Sequence, residues 1–166
     1  MRAKVFSVFA GLGKTYVGKK YSNVLDLQSN PYRYDYTNIK KEDYEKLKET
    51  PNRKVNPNWP NNFINTIKET SNKYDIILVS SSLDIRELLE ENNIPYTFIL
   101  PSKDSKEILL ERYRKRGNSK ELIDNVMSNL DTWSYKEEDY NCPLAILDKD
   151  KYLEDYLKEE GLIDDK

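Results

Sequence analysis

Residues Ile76-Ile77-Leu78-Val79 form an unbroken apolar run with polar chain on either side. A strand with one wet face alternates apolar and polar residues, so a run without alternation marks a strand covered on both faces. Such strands belong to parallel sheets held between helix layers. Lys4–Phe9, Asn23–Leu27, Tyr96–Leu100 and Leu144–Leu147 read the same way, and the strand around Ile76 extends over Tyr74–Ser80. Amphipathic segments between them predict helices over Lys14–Tyr21, Lys41–Glu49, Asn61–Ser71, Asp84–Asn92, Asp104–Arg116 and Lys151–Glu160. Gly117 reads as a helix stop, and Asn118 with Glu121 as a capping box opening a further helix that runs to about Glu138. The alternation of strands and helices predicts a doubly wound α/β fold.

With 166 residues, no repeats and no low-complexity linker, the chain fits one domain. Lys plus Arg number 27 against 29 Asp plus Glu, a formal net charge of −2. That balance argues against a nucleic-acid backbone or an anionic membrane as the main partner. No stretch approaches the roughly 18 apolar residues of a membrane span, and Met1 leads into a strand where a signal peptide would stand, so a cytoplasmic location is expected. The sequence has no histidine, which removes Ser-His-Asp and Cys-His catalysis and histidine-based zinc sites. Cys142, the only cysteine, reads as a partly buried structural thiol. Carboxylates, hydroxyls, Lys and Arg remain, a set suited to handling phosphates.

Gly11-Leu12-Gly13-Lys14-Thr15 follows the first strand and opens a helix. It matches the second half of the phosphate-binding pattern G-x-x-x-x-G-K-[ST]. In that pattern successive backbone amides and a helix N-terminus surround an anion, the lysine reaches the β- and γ-phosphates, and the hydroxyl holds Mg²⁺. Gly11, Leu12, Gly13, Lys14 and Thr15 are therefore the candidate ATP-binding residues, with Thr15 the candidate metal ligand. Val8 stands where the pattern has its first glycine.

Two stretches, Gln28–Ile39 and Thr50–Pro60, are rich in Asn, Pro, Tyr and Arg and lie between the second and third strands. Insertions there fall at the carboxyl edge of such a sheet, where ligands bind. After the fourth strand comes Glu111-Arg112-Tyr113-Arg114-Lys115-Arg116-Gly117, in which Arg112 and Arg116 are one helical turn apart on one stripe. Two guanidinium groups so placed can clamp phosphate oxygens and neutralise charge on a transferred phosphoryl group; a solvated basic helix end is the plainer alternative.

Together these features resemble the P-loop nucleoside monophosphate kinases, the adenylate kinase-like group that includes small phage-type deoxynucleotide kinases. The resemblance implies a three-layer P-loop NTPase fold, α/β with a five-stranded parallel sheet in order 2-3-1-4-5. It also implies a single domain with an acceptor-binding insertion at about 28–72 and a short lid at about 111–119. Arg86, shortly after the third strand, takes from the resemblance the role of gripping the acceptor phosphate; an exposed pairing with Glu90 is its alternative. These kinases often carry an aspartate near the end of the third strand, where this chain has Ser80, Ser81 and Ser82.

Asp26 ends the second strand, where a carboxylate can take a proton from an attacking hydroxyl, help hold a metal, or cap the turn at Ser29 and Asn30. Arg33, Tyr34, Tyr36, Trp59 and Asn61 are candidates for the acceptor pocket, since aromatics stack on bases and Asn reads a base edge; each is also a candidate for loop packing. The expected activity is transfer of the γ-phosphoryl of ATP, with Mg²⁺, to a (deoxy)nucleoside monophosphate, with Lys14, Arg112, Arg116, Arg86 and Asp26 as the catalytic set. A non-catalytic nucleotide-binding module, or a kinase of another small hydroxylated or phosphorylated metabolite, is the alternative. Oligomeric state, a homodimer included, is left open.

Overall fold

The computed structural model describes residues 2–35 and 54–164. The expected helix Lys41–Glu49 and the candidate Tyr36 lie outside the described residues. Five strands, β1 (Lys4–Val8), β2 (Val24–Asp26), β3 (Ile76–Ser80), β4 (Tyr96–Pro101) and β5 (Leu144–Leu147), form one sheet in the order β2-β3-β1-β4-β5. Every pairing is parallel, with Val5 opposite Ile77 on one side and Tyr96 on the other. This is the α/β architecture that the sequence predicts, with the strand order that the resemblance implies. Around the sheet stand α1 (Lys14–Lys20), α2 (Asn30–Arg33), α3 (Asn61–Thr70), α4 (Leu83–Glu91), α5 (Lys106–Lys115), α6 (Lys120–Thr132) and α7 (Leu153–Glu159).

The core follows from the apolar runs. Ile76, Ile77, Leu78 and Val79 are buried without alternation, as are Phe98, Ile99 and Leu100 of β4. Helical spacing supplies the covering layers: Phe63, Ile64 and Ile67 from α3, Ile85 and Leu89 from α4, Leu153 and Leu157 from α7. Apolar area removed from water is the main favourable term, and a central parallel sheet buries it on two faces at once. Cys142 is half-buried, and burial pushes its thiol up, in keeping with an inert structural cysteine.

Three local differences from the sequence reading have physical causes. The helix expected to reach Glu138 ends at Thr132, because Trp133 turns to extended backbone (ψ 142°) and sets its ring edge-on to Phe9 and Phe98, 5.4 Å from each. The chain beyond it is held by Tyr135, whose hydroxyl donates to the Pro101 carbonyl at 2.8 Å. The cap of α6 is Ser119, whose hydroxyl accepts from the Leu122 amide; the amide of Asn118 instead donates to the Tyr113 carbonyl as the chain turns through Gly117 (φ +74°). Finally, the irregular stretch after β2 contains a one-turn helix, α2, with Pro31 in its first turn, where a missing amide costs nothing.

Candidate functional site

The loop between β1 and α1 is built from its carbonyls outward. Val8 O accepts from Lys14 Nζ (3.0 Å), Ala10 O from the Tyr113 hydroxyl (2.6 Å), Gly11 O from Arg112 Nη1 (2.9 Å), and Leu12 O from the Leu153 amide at the start of α7 (2.8 Å). A trans peptide points its N–H opposite its C=O, so fixing each carbonyl also aims the next amide. Among the described residues nothing accepts a hydrogen bond from the amides of Gly11, Leu12, Gly13 or Thr15. Gly11 (φ +87°) and Gly13 (φ +101°) occupy left-handed backbone that glycine adopts without strain. Alternating backbone of this kind turns successive amides toward a common point, the geometry of an anion-binding nest. Val8 needs no such freedom: it is not in the left-handed region, its side chain is buried in the sheet, and it offers the loop only its carbonyl.

Beside this loop lies a cavity of about 350 Å³ whose walls include Gly11, Lys14, Thr15, Asp26, Arg116 and Asn118, with Gln28, Ser29 and Asn30 on the β2 side and Ser80 at the end of β3. The Thr15 hydroxyl is 3.4 Å from Asp26 Oδ2. A Cβ on Gly18 would fall 2.8 Å from Asp26 Cβ, so glycine there lets α1 approach β2 closely enough to bring the two oxygens together. A hydroxyl and a carboxylate fit a hard, oxygen-seeking ion such as Mg²⁺, which takes one or two protein ligands and completes its shell with phosphate and water. Among the described residues no cluster of three or more His, Cys, Asp or Glu side chains forms a metal cage of its own.

The two lid arginines divide. Arg116 faces the cavity with Lys14. Arg112, besides holding Gly11 O, stacks its guanidinium 4.0 Å over the ring of Tyr152. Tyr152 and Tyr16, both half-exposed, line a second cavity of about 440 Å³ on the far side of Gly13. Between the arginines, Tyr113 is buried; burial pushes its phenol well up, outweighing the opposing charges of Arg116 and Arg112, so the hydroxyl keeps its proton and acts as a donor.

Other expected residues lie elsewhere. Arg86 does not reach the cavity, and it is neither an exposed charge nor a partner of Glu90. It is buried, its Nε donates to the Ser81 carbonyl at 3.0 Å, and its guanidinium sits 4.3 Å over Phe98, with Trp133 and Tyr140 within 6 Å. Aromatic faces stabilise a desolvated cation, which accounts for its burial with no carboxylate partner among the described residues; Glu90 instead accepts from the Tyr96 hydroxyl. Arg33 forms an ion pair with Asp84 and stacks 4.6 Å over Trp59, so these two candidates do meet, but outside the cavity. Tyr34 bridges to Val55 across an antiparallel pair, and Asn61 is exposed at the start of α3, where its neighbour Asn62 holds the Tyr32 carbonyl. Residues to which the sequence reading gave no site role are Tyr113, Asn118 and Ser80 on the cavity, and Tyr152 beside Arg112. Only Tyr113 carried a signal, its place between the two lid arginines.

No family model matches the chain, and no curated protein matches it. Among solved structures, the tunicamycin resistance protein of Deinococcus radiodurans superposes with a TM-score of 0.52 over 98% of this chain and 98% of that one, at 14% identity. That similarity concerns the fold, and with the strand order it gives the class: an α/β protein built on a five-stranded parallel sheet in the order 2-3-1-4-5. No helix among the described residues is long and apolar enough to cross a membrane.

Proposed function

We propose that the protein is an ATP-dependent phosphotransferase that moves the γ-phosphoryl group to a (deoxy)nucleoside monophosphate. The carrying observation is the loop after β1, whose carbonyls are tied outward while the amides of Gly11, Leu12, Gly13 and Thr15 have no acceptor among the described residues. A polyphosphate supplies the acceptors those amides lack. Lys14 adds positive charge on one wall of the adjoining cavity and Arg116 on another. Cationic groups preorganised around a phosphoryl group in flight supply most of the rate in such transfers, and no histidine is needed. Thr15 and Asp26 would hold Mg²⁺, which when bound neutralises phosphate charge. Arg112 and Tyr152 offer a flat platform beside the second cavity for the base of the donor. On the acceptor side, a phosphate would compete with Asp84 for Arg33, with Trp59 stacked alongside.

A second reading has its own observation. Asp26 stands on the cavity wall while Arg33 and Arg86, the arginines expected for an acceptor phosphate, have other partners. That arrangement favours an acceptor presenting a neutral hydroxyl.

One assay addresses both. Purified protein with Mg-ATP is incubated with each ribo- and deoxynucleoside monophosphate and with the parent nucleosides, and ADP is measured. The first reading expects ADP only with a monophosphate and the second only with a nucleoside or another hydroxyl compound. ATP bound without product from any acceptor would leave a binding module in place of an enzyme.

A further inference from the structure

Three features of Tyr113 coincide. Its hydroxyl donates to the Ala10 carbonyl at 2.6 Å, its ring lies so close to Gly11 that a Cβ there would fall 2.8 Å from Cε1, and the residue is buried though it comes from α5, 103 positions along the chain from Ala10. A core tyrosine needs only some acceptor for its hydroxyl. This one takes a carbonyl in the loop that must hold its amides in place, and it does so on the same peptide whose nitrogen belongs to Gly11. Because that peptide is planar and trans, fixing Ala10 O turns the Gly11 N–H to the side opposite the phenol. The adjoining peptide is fixed in the same manner by Arg112 on Gly11 O.

Resting on the reading of this loop as a phosphate site, we propose that Tyr113 is a positioning residue for the phosphate cradle, orienting the Gly11 amide and tying the cradle to the helix that ends at Arg116. The preceding turn of α5 thus governs where the loop amides point, and the following turn carries the cation that faces the cavity. A displacement of α5 moves both together. Phosphate contact and lid placement are then one geometric variable, set by a single buried ring.

The test is Tyr113→Phe, which keeps the ring against Gly11 and removes only the hydroxyl. Sodium tripolyphosphate, which has neither base nor sugar, probes the cradle alone by calorimetry, and two-dimensional ¹H–¹⁵N spectra follow the Gly11 amide. The expected result is binding weakened about tenfold, the order of one buried hydrogen bond, with a shifted Gly11 resonance and a melting temperature lowered by only a few degrees. Equal tripolyphosphate affinity in both proteins, with Gly11 resonances superimposed, would overturn the role given to Tyr113. Wild-type protein that takes up neither tripolyphosphate nor Mg-ATP would defeat the phosphotransferase reading itself. Should Tyr113→Phe fail to fold, the wild-type spectrum decides: the Gly11 amide must move on saturation with tripolyphosphate, and a resonance that stays put sinks the proposal.

Discussion

The two flanks of the sheet's carboxyl edge are organised in opposite ways. On the β1 flank the main chain makes the proposed site, and side chains from another element brace it: Tyr113 and Arg112 hold carbonyls, and the loop amides have no partner among the described residues. On the β2–β3 flank, side chains were expected to make the site, and the fold has engaged them itself. Arg33 is paired with Asp84 and stacked on Trp59, while Arg86 is folded into a cage of Phe98, Trp133 and Tyr140. Backbone binding groups are hard to divert, because a loop with its carbonyls tied has no other use for its amides. A guanidinium on a long stem finds the nearest acid or aromatic face, and its place in the chain says little about where its charge ends up.

Three experiments would break or sharpen this contrast. The largest effect belongs to Lys14→Ala, which removes the ammonium from the braced flank; ADP formation should fall by about 10²- to 10³-fold, the scale for deleting one preorganised donor, with the circular dichroism spectrum intact. A loss below threefold would mean that the cradle is not where transfer occurs. Next comes Arg86→Ala, which empties the aromatic cage. Denaturant titration should show a loss of about 2–4 kcal/mol, the range for truncating a large buried side chain, while turnover per folded molecule stays near wild type. Full stability with collapsed turnover would return Arg86 to the acceptor site.

The smallest effect is at Arg33 and Asp84. The pair is partly exposed, so a double-mutant cycle should give a coupling of about 0.5–1 kcal/mol that shrinks in salt. Its pH dependence has a definite sign. Burial pushes the Asp84 carboxyl up, but the hydrogen bond from Ser82 and the charge of Arg33 outweigh it and hold the carboxyl below its ordinary 3.8. A depressed carboxylate contributes stability above its unfolded value and loses it as pH falls through the lower folded one. The coupling should hold from neutral pH to about 4, decline as the pH falls further and vanish only below the depressed folded value; a coupling that grows on acidification would contradict the pairing.

The sequence was most legible where structure is local. Unbroken apolar runs located the strands because burial on both faces leaves no room for alternation, and Gly11 to Thr15 located the turn between β1 and α1 because its two positive-φ glycines are contiguous in the chain. Legibility ended where distant residues decide. The amphipathic pattern runs on past Thr132, yet ring contacts of Trp133 with Phe9 and Phe98 stop the helix there. Asn118 and Ser119 are both good caps, and the turn through Gly117 had already claimed the Asn118 amide. Tyr152 and Tyr113 could not be matched to the loop by spacing, since each reaches it from the other end of the chain. Arg86 is the clearest case: nothing in its neighbourhood of sequence announces that Trp133 and Tyr140 will close over it.

The hydrogen bond from the Leu153 amide to Leu12 gives the cradle a late completion during synthesis. A nascent chain emerging from the ribosome has its glycine loop almost at once, but the last of the contacts that hold the loop carbonyls arrives only when residue 153 has cleared the exit tunnel. On the function proposed above, phosphate capture by the half-made protein is thereby postponed, and a chain cut short ahead of α7 would retain the loop sequence without that contact.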